Sequence, residues 1–196
     1  SPIDYTVMPD RIEAGTFLAA VAAAGGEVII DDFPFDSLVA VVDKFLESGL
    51  TVEKVGVRVA LVRKERPLKG TEVITQPYPG FPTDMQAQFM AAMCLAEGTS
   101  VITETIFENR FMHVPELQRL GANLEKKGNT VIVNGVKKLI GAEVEATDLR
   151  ASASLVVAGL AAENTTVVHN IYHLDRGYER LELKLKALGA DIERFD

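Results

Sequence analysis

Ala146-Thr147-Asp148-Leu149-Arg150-Ala151-Ser152-Ala153-Ser154-Leu155-Val156-Val157-Ala158-Gly159-Leu160-Ala161-Ala162 opens on an Asp at a helix start, and from Ala151 onward every residue is apolar or small. A helix with no polar face is buried on every side. The same order of features occurs twice more. Met8-Pro9-Asp10 and Pro82-Thr83-Asp84 each follow a short extended run and precede an Ala-rich helical stretch, residues 12–24 and 85–96, matching 149–162 here. A β-branched run comes next: Glu27-Val28-Ile29-Ile30, Thr99-Ser100-Val101-Ile102-Thr103 and Thr165-Thr166-Val167-Val168. A second, amphipathic helix follows, over 36–48, 114–120 and 178–188, and each ends in a glycine (Gly49, Gly121, Gly189), the residue suited to a left-handed helix terminus. Two units continue into a further strand, residues 57–62 and 130–133.

The repeat unit is therefore β-α-β-α-β-β, over about residues 5–70, 72–135 and 143–196, the third lacking its last strand. The second helices carry stripes such as Leu181, Leu185 and Leu188, with Arg180, Glu182, Lys184 and Lys186 largely off them, and belong on an outer layer or against one sheet face. Three buried helices with sheets around them make an inside-out α/β barrel, a single α/β domain spanning 1–196. No spare strand precedes Tyr5, and an unpaired sheet edge is a liability. The missing strand is expected elsewhere in a longer protein, and the start at Ser1-Pro2, without Met, reads as a cut end.

Composition narrows the function. The 196 residues carry 20 Lys+Arg against 28 Asp+Glu, a net charge of −8, which argues against a nucleic-acid partner. Apolar residues are 47% and charged residues 24%, enough for a sizeable core and unlike a disordered chain. Cys94, the one cysteine, excludes an internal disulfide and a Cys-based zinc cluster, and its apolar helical setting reads as an inert buried thiol. No apolar run reaches the ~18 residues of a membrane span, and the start is no signal peptide. The expected compartment is the cytoplasm.

The three opening aspartates suit helix capping, Asp10 and Asp148 foremost. At the third, Thr83-Asp84-Met85-Gln86 has the capping-box pattern, so Thr83 as the cap would leave the Asp84 carboxylate to meet a ligand. Three prolines in Gln76-Pro77-Tyr78-Pro79-Gly80-Phe81-Pro82 stiffen the approach to it. Three helix N-termini at one end of the domain attract anions. Arg110, Arg150 and Arg176 lie nearby in sequence, Arg110 and Arg176 at equivalent points of units two and three. A guanidinium fork suits phosphate and carboxylate, and the competing role is a surface pair, Arg150 with Asp148 and Arg176 with Asp175. His113, His169 and His173 form no metal-binding pattern; His113 reads as structural. No glycine-rich phosphate loop is present.

The runs Pro9-Asp10-Arg11-Ile12-Glu13-Ala14-Gly15-Thr16, Phe81-Pro82-Thr83-Asp84-Met85-Gln86-Ala87-Gln88, Glu104-Thr105-Ile106-Phe107-Glu108-Asn109-Arg110-Phe111, Ala146-Thr147-Asp148-Leu149-Arg150-Ala151 and Ile171-Tyr172-His173-Leu174-Asp175-Arg176-Gly177-Tyr178 resemble the UDP-N-acetylglucosamine 1-carboxyvinyltransferases, over essentially the whole chain after Tyr5. The resemblance implies the C-terminal half of a two-domain enzyme that transfers enolpyruvyl from phosphoenolpyruvate to the sugar 3-hydroxyl and releases phosphate, the first committed step of peptidoglycan synthesis. It implies no metal or organic cofactor, and partners limited to UDP-N-acetylglucosamine, phosphoenolpyruvate and the missing N-terminal domain. The family's catalytic-loop cysteine, and the Lys and Asn near its N-terminus, have no counterpart; Cys94 does not match that cysteine. By resemblance Asp84 is the general base at the sugar hydroxyl, with Ile106 and Phe107 beside the UDP-sugar. Arg110, Arg150 and Arg176 face phosphoenolpyruvate, and Asp10 and Asp148 match positions near the cleft with structural roles; Thr83 supports the site from its capping position. The chain alone is expected to be inactive. The alternatives are the sibling transferase that uses shikimate 3-phosphate and a non-catalytic binding domain.

Overall fold

The computed structural model describes residues 3–195. Ser1, Pro2 and Asp196, where the readings of a cut start and of the chain's end fall, lie outside the described residues. In chain order the elements are α1 (Arg11–Ala24), β1 (Glu27–Ile30), α2 (Val39–Ser48), β2 (Thr51–Gly56), β3 (Val59–Arg63), β4 (Glu72–Ile74), α3 (Gln86–Met93), β5 (Thr99–Thr103), α4 (His113–Arg119), β6 (Asn123–Lys127), β7 (Thr130–Asn134), β8 (Leu139–Ile140), β9 (Glu143–Glu145), α5 (Leu149–Ala161), β10 (Ala162–Glu163), β11 (Val167–His169) and α6 (Leu181–Ala187).

The helices α1, α3 and α5 are the middle of the molecule. Each packs on the other two and on strands of its own unit. Buried residues run round α5: Ala151, Ser152, Ala153, Ser154, Leu155, Val157 and Ala158. Its two serines sit in the apolar centre because each hydroxyl donates inside the helix, Ser152 to the Asp148 carbonyl at 2.5 Å and Ser154 to the Ala151 carbonyl at 2.7 Å. Close approach has a definite requirement at Gly15 of α1. A Cβ there would stand 2.6 Å from the sulfur of Met85, so glycine is what lets α1 lie against the turn that carries Asp84.

The middle segment holds all six elements of the expected unit. Its sheet has the order β4-β5-β7-β6, with β4 parallel to β5 and the other pairs antiparallel. The first segment makes a three-stranded antiparallel sheet, β1-β3-β2, and residues 3–9 before Asp10 form no strand. In the third, β9 pairs in parallel with β11, and β8 with β10, two short strands the periodicity did not predict. No strand follows α6 among the described residues, so this segment lacks two strands of the unit rather than one. A strand needs a partner for its backbone groups, and no described strand lies beside residues 190–195.

Several helix bounds differ from the sequence reading for local reasons. Residues 35–37 form a 3-10 turn, with Ser37 bonded back to the Pro34 carbonyl, so α2 starts at Val39 and not at 36. Thr83–Met85 is likewise a 3-10 turn, and α3 is the shorter Gln86–Met93, its end tightening where Leu95 and Ala96 bond to Ala92 and Met93. Arg180 has a left-handed backbone (φ 47°), which delays α6 to Leu181. Leu181 and Leu185 are buried as the stripe predicts, whereas Leu188 is half exposed. Gly49, Gly121 and Gly189 all have the positive φ that their place after a helix calls for.

Candidate functional site

Asp10 and Asp148 are spent on the backbone. The Asp10 carboxylate accepts from the amides of Ile12 at 2.7 Å and Glu13 at 3.2 Å, and that of Asp148 from Arg150 and Ala151, both at 2.8 Å. Both are N-caps, and capping of this kind stabilises a helix by roughly 0.5–2 kcal/mol.

The capping box expected at Thr83 does not form. The 3-10 turn has no side-chain cap, and the Thr83 hydroxyl donates instead to Glu104 Oε2 at 2.8 Å while accepting from Arg110 Nη1 at 2.9 Å. Asp84 is therefore left out of backbone capping, and its carboxylate is held by two arginines. Arg110 Nη2 lies 2.6 Å from Oδ1 and Arg150 Nη2 lies 3.3 Å from Oδ2. The Asp84 side chain is 40% exposed, against 24% for Arg110 and 15% for Arg150, so an anionic side chain faces solvent from a nest of half-buried cations. Partial burial pushes the Asp84 carboxyl pKa up, but Arg150 and Arg110 together outweigh it and hold the group below the ordinary carboxylate range.

Glu104 organises the floor of this arrangement. Along β5 side chains alternate, so Ser100 and Ile102 face the core. The same parity turns Glu104, one residue past the strand, inward, where it is 3% exposed. Four donors converge on its two oxygens, which suits an acceptor-only carboxylate. Thr75 Oγ1 and the Ile106 amide reach Oε1 at 2.8 Å, the Phe107 amide reaches it at 3.2 Å, and Thr83 reaches Oε2. One buried carboxylate thus fixes both the turn preceding α3 and the turn holding Ile106 and Phe107. Phe107 is exposed, with the Arg110 guanidinium 5.0 Å from its ring centre. An open cavity of about 820 Å³ adjoins this turn, lined by Ile106, Phe107, Asn109, Phe111, Lys126 and Asn129 among others. A larger one, about 1100 Å³, lies between α1, α5 and residues 188–195; Asp84, Arg110 and Arg150 do not line it.

The structure brings Asp84, Thr83, Arg110 and Arg150 into one hydrogen-bonded group and places Ile106 and Phe107 next to it. It does not bring Arg176 in. That residue is exposed at the end of the 3-10 turn Ile171–Arg176 and makes no hydrogen bond or ion pair with the group among the described residues. The two surface pairs set against a ligand role are also absent. The Asp148 carboxylate is occupied by the helix amides, and Asp175 pairs with Arg194 at 2.7 and 2.8 Å. Sequence reading passed over Glu104, whose signal was the strand parity, and Tyr178, Thr16 and Gln88, for which no local signal exists.

Cys94 is fully buried, donates to the Met90 carbonyl, and has its thiol pushed up to about 12 by burial, in keeping with an inert side chain. Among the described residues no group of three or more His, Cys, Asp or Glu is placed to hold a metal, and no helix is long and apolar enough to cross a membrane.

His113, at the start of α4, is 2% exposed and its Nε2 has no hydrogen-bond partner. Burial drives its pKa down to about 4; nearby Asp148 pulls the other way and Arg110 adds to the fall. The unfolded chain takes up this proton near pH 6.5, well before the folded one does. Stability should therefore fall as pH drops from about 6.5 toward 4, by roughly 2–3 kcal/mol from this residue at pH 4.5. Urea unfolding at pH 7 and pH 4.5 checks this. His113→Asn should remove that part of the pH dependence, and an equal pH dependence in the variant would refute it.

The family model described as EPSP synthase (3-phosphoshikimate 1-carboxyvinyltransferase) matches residues 1–185. The chain is 60% identical over 97% of its length to the UDP-N-acetylglucosamine 1-carboxyvinyltransferase of Nitratidesulfovibrio vulgaris (strain DP4), covering 46% of that protein. It is equally identical over 97% of its length to that of Novosphingobium aromaticivorans, covering 44%. The chain thus spans about half the length of the curated relatives it matches. Among solved structures, the enolpyruvyl transferase NikO from Streptomyces tendae superposes with a TM-score of 0.89 at 32% identity, over 98% of this chain and 46% of that one. An EPSP synthase from Acinetobacter baumannii has a TM-score of 0.73 at 18% identity, over 97% of this chain and 45% of that one, a likeness of fold.

Proposed function

The chain belongs to the EPSP synthase family of carboxyvinyl transferases, and from that premise we propose that it is the C-terminal half of a UDP-N-acetylglucosamine 1-carboxyvinyltransferase, a cytoplasmic enzyme whose other half completes the site. The observation that carries this is the Asp84 carboxylate held between Arg110 and Arg150 at 2.6 and 3.3 Å. The 60% identity to transferases of that name supports the choice of acceptor. The accompanying fold reading is the inside-out barrel of three repeats, supported by buried helices α1, α3 and α5 that touch one another and their own strands.

Phosphoenolpyruvate carries a carboxylate and a phosphate, and guanidinium forks match both. In the free chain those forks are turned on Asp84 and keep its basicity low. An anionic substrate competing for Arg110 and Arg150 strips Asp84 of its counter-charges and raises its basicity where the sugar hydroxyl must lose a proton. Asp84 then takes that proton as the hydroxyl oxygen bonds to the phosphate-bearing carbon, while the methylene carbon of phosphoenolpyruvate accepts a proton from an acid in the other half; loss of a proton from the resulting methyl group re-forms the double bond as the C–O bond to phosphate breaks. Exposed Arg176 joins from the 3-10 turn to hold the same anion, and Ile106 and Phe107 lie along the UDP-sugar. The arrangement needs no metal or organic cofactor for these steps.

Phosphate release from phosphoenolpyruvate plus UDP-N-acetylglucosamine tests this. The chain is assayed alone and as a chimera, grafted in place of the matching 191-residue stretch of the N. vulgaris relative. The chain alone should be silent and the chimera active. Turnover by the chain alone would overturn the split site. The family model's name favours a second acceptor, shikimate 3-phosphate, and its use by the chimera in place of the UDP-sugar would establish that reading.

A further inference from the structure

Tyr178 is 2% exposed, yet its hydroxyl stands where three buried helices meet. Thr16 Oγ1 of α1 lies 2.8 Å away, Gln88 Nε2 of α3 3.1 Å away, and Arg150 Nη1 of α5 3.3 Å away. Proton accounting orients the cluster. Arg150 only donates, so the Tyr178 oxygen accepts from it. Thr16 already donates to the Ile12 carbonyl at 2.8 Å, so Tyr178 donates to Thr16. Gln88 donates to both oxygens, reaching Thr16 at 3.3 Å. Both lone pairs and the proton of the Tyr178 hydroxyl are then in use. The other end of the same guanidinium, Nη2, is the one that meets Asp84.

We propose that Tyr178 is a positioning residue: its buried hydroxyl holds Arg150 in the rotamer that presents the guanidinium to Asp84 and to the anion beside it. Arg150 has four rotatable bonds and is 15% exposed. Its backbone is fixed by the start of α5, and among the described residues two side-chain hydrogen-bond partners fix its head, Asp84 and Tyr178. Asp84 is the partner that the proposed reaction must release, so Tyr178 is the anchor that stays. The hydroxyl is placed by its own ring, buried where the three helices meet, and Thr16 and Gln88 complete its remaining hydrogen bonds.

This inference rests on the proposed function for its kinetic test and has a second readout that does not. In the chimera, Tyr178→Phe keeps the ring, 5.8 Å from the Arg150 guanidinium, and removes only the hydroxyl. It is expected to lower kcat/KM for phosphoenolpyruvate by about tenfold. Thr16→Val, which breaks the same hub without touching Arg150, should lower the melting temperature to a similar extent and leave kcat/KM within about threefold. In an Arg150→Met background Tyr178→Phe should cause no further kinetic loss. A Tyr178→Phe loss that matches Thr16→Val, or that recurs in full in the Arg150→Met background, would overturn the proposal. If the unmutated chimera does not turn over, the functional reading fails, and nitrogen NMR of the Arg150 guanidinium still decides the positioning. Slow rotation should separate its two Nη signals in the unmutated protein and merge them in Tyr178→Phe; signals equally separate in both would overturn it.

Discussion

Asp84→Ala in the assembled enzyme is expected to cut phosphate release by about a thousandfold or more, with cooperative unfolding retained. A positioned general base contributes roughly 10²–10⁴ in rate. Its loss here also removes the centre on which Arg110 and Arg150 converge. The structural effect is smaller because the carboxylate is 40% exposed, water screens the two guanidinium groups left behind, and exposed ion pairs contribute about 0–1 kcal/mol. Steady-state turnover and a thermal melt on one preparation separate the two effects. Asp84→Asn, which keeps shape but not charge, should be nearly as slow. Wild-type turnover in either variant would remove Asp84 from the chemistry.

The second large effect falls on stability. Glu104→Ala strands the Ile106 and Phe107 amides and the Thr75 and Thr83 hydroxyls around a space where the carboxylate stood. A buried donor without a partner costs about 1–3 kcal/mol; Thr75 bears that in full, water reaches the part-buried Thr83, Ile106 and Phe107 donors and recovers part of theirs, and the net loss is about 3 kcal/mol. Glu104→Gln should lose about half as much, since one end of its amide still accepts while the other meets donors. Chemical unfolding gives the totals. Hydrogen exchange at Ile106 and Phe107 gives the local effect, with both amides losing protection in Glu104→Ala. Protection equal to the parent protein would show that the turn is held by something other than this carboxylate.

Much was legible in the sequence because it is local. Asp10 and Asp148 cap their helices since the amides they bond lie two and three residues on. Gly49, Gly121 and Gly189 adopt positive φ for reasons contained in the helix end itself. The small, apolar surface of α5 goes to the interior from Ala151 to Leu155 and at Val157 and Ala158, while Val156 and residues 159–161 are only partly buried. Repetition of these signals placed Asp84 at a helix start, where the structure has it in the 3-10 turn just before α3. The strand pairing was less legible: residues 190–195 resemble the other unit endings, but a strand exists only where another chain segment completes its hydrogen bonds.

The directions of the charged side chains were settled by the tertiary structure alone. Arg150 sits two residues from Asp148, and the sequence permitted that pair. Capping consumes the Asp148 carboxylate, and the packing of α3 against α5 offers Asp84, 66 residues earlier, in its place. Thr83 has the pattern of a capping residue, but β5 delivers a buried carboxylate within 2.8 Å of its hydroxyl and wins it. Tyr178 finds Thr16 across 162 residues because two buried helices meet beside it. Periodicity and capping are decided by neighbours in the chain, so sequence alone determines them. The partner of a half-buried charge is decided by which unpaired group the packing leaves within about 3 Å, and only the assembled core determines that.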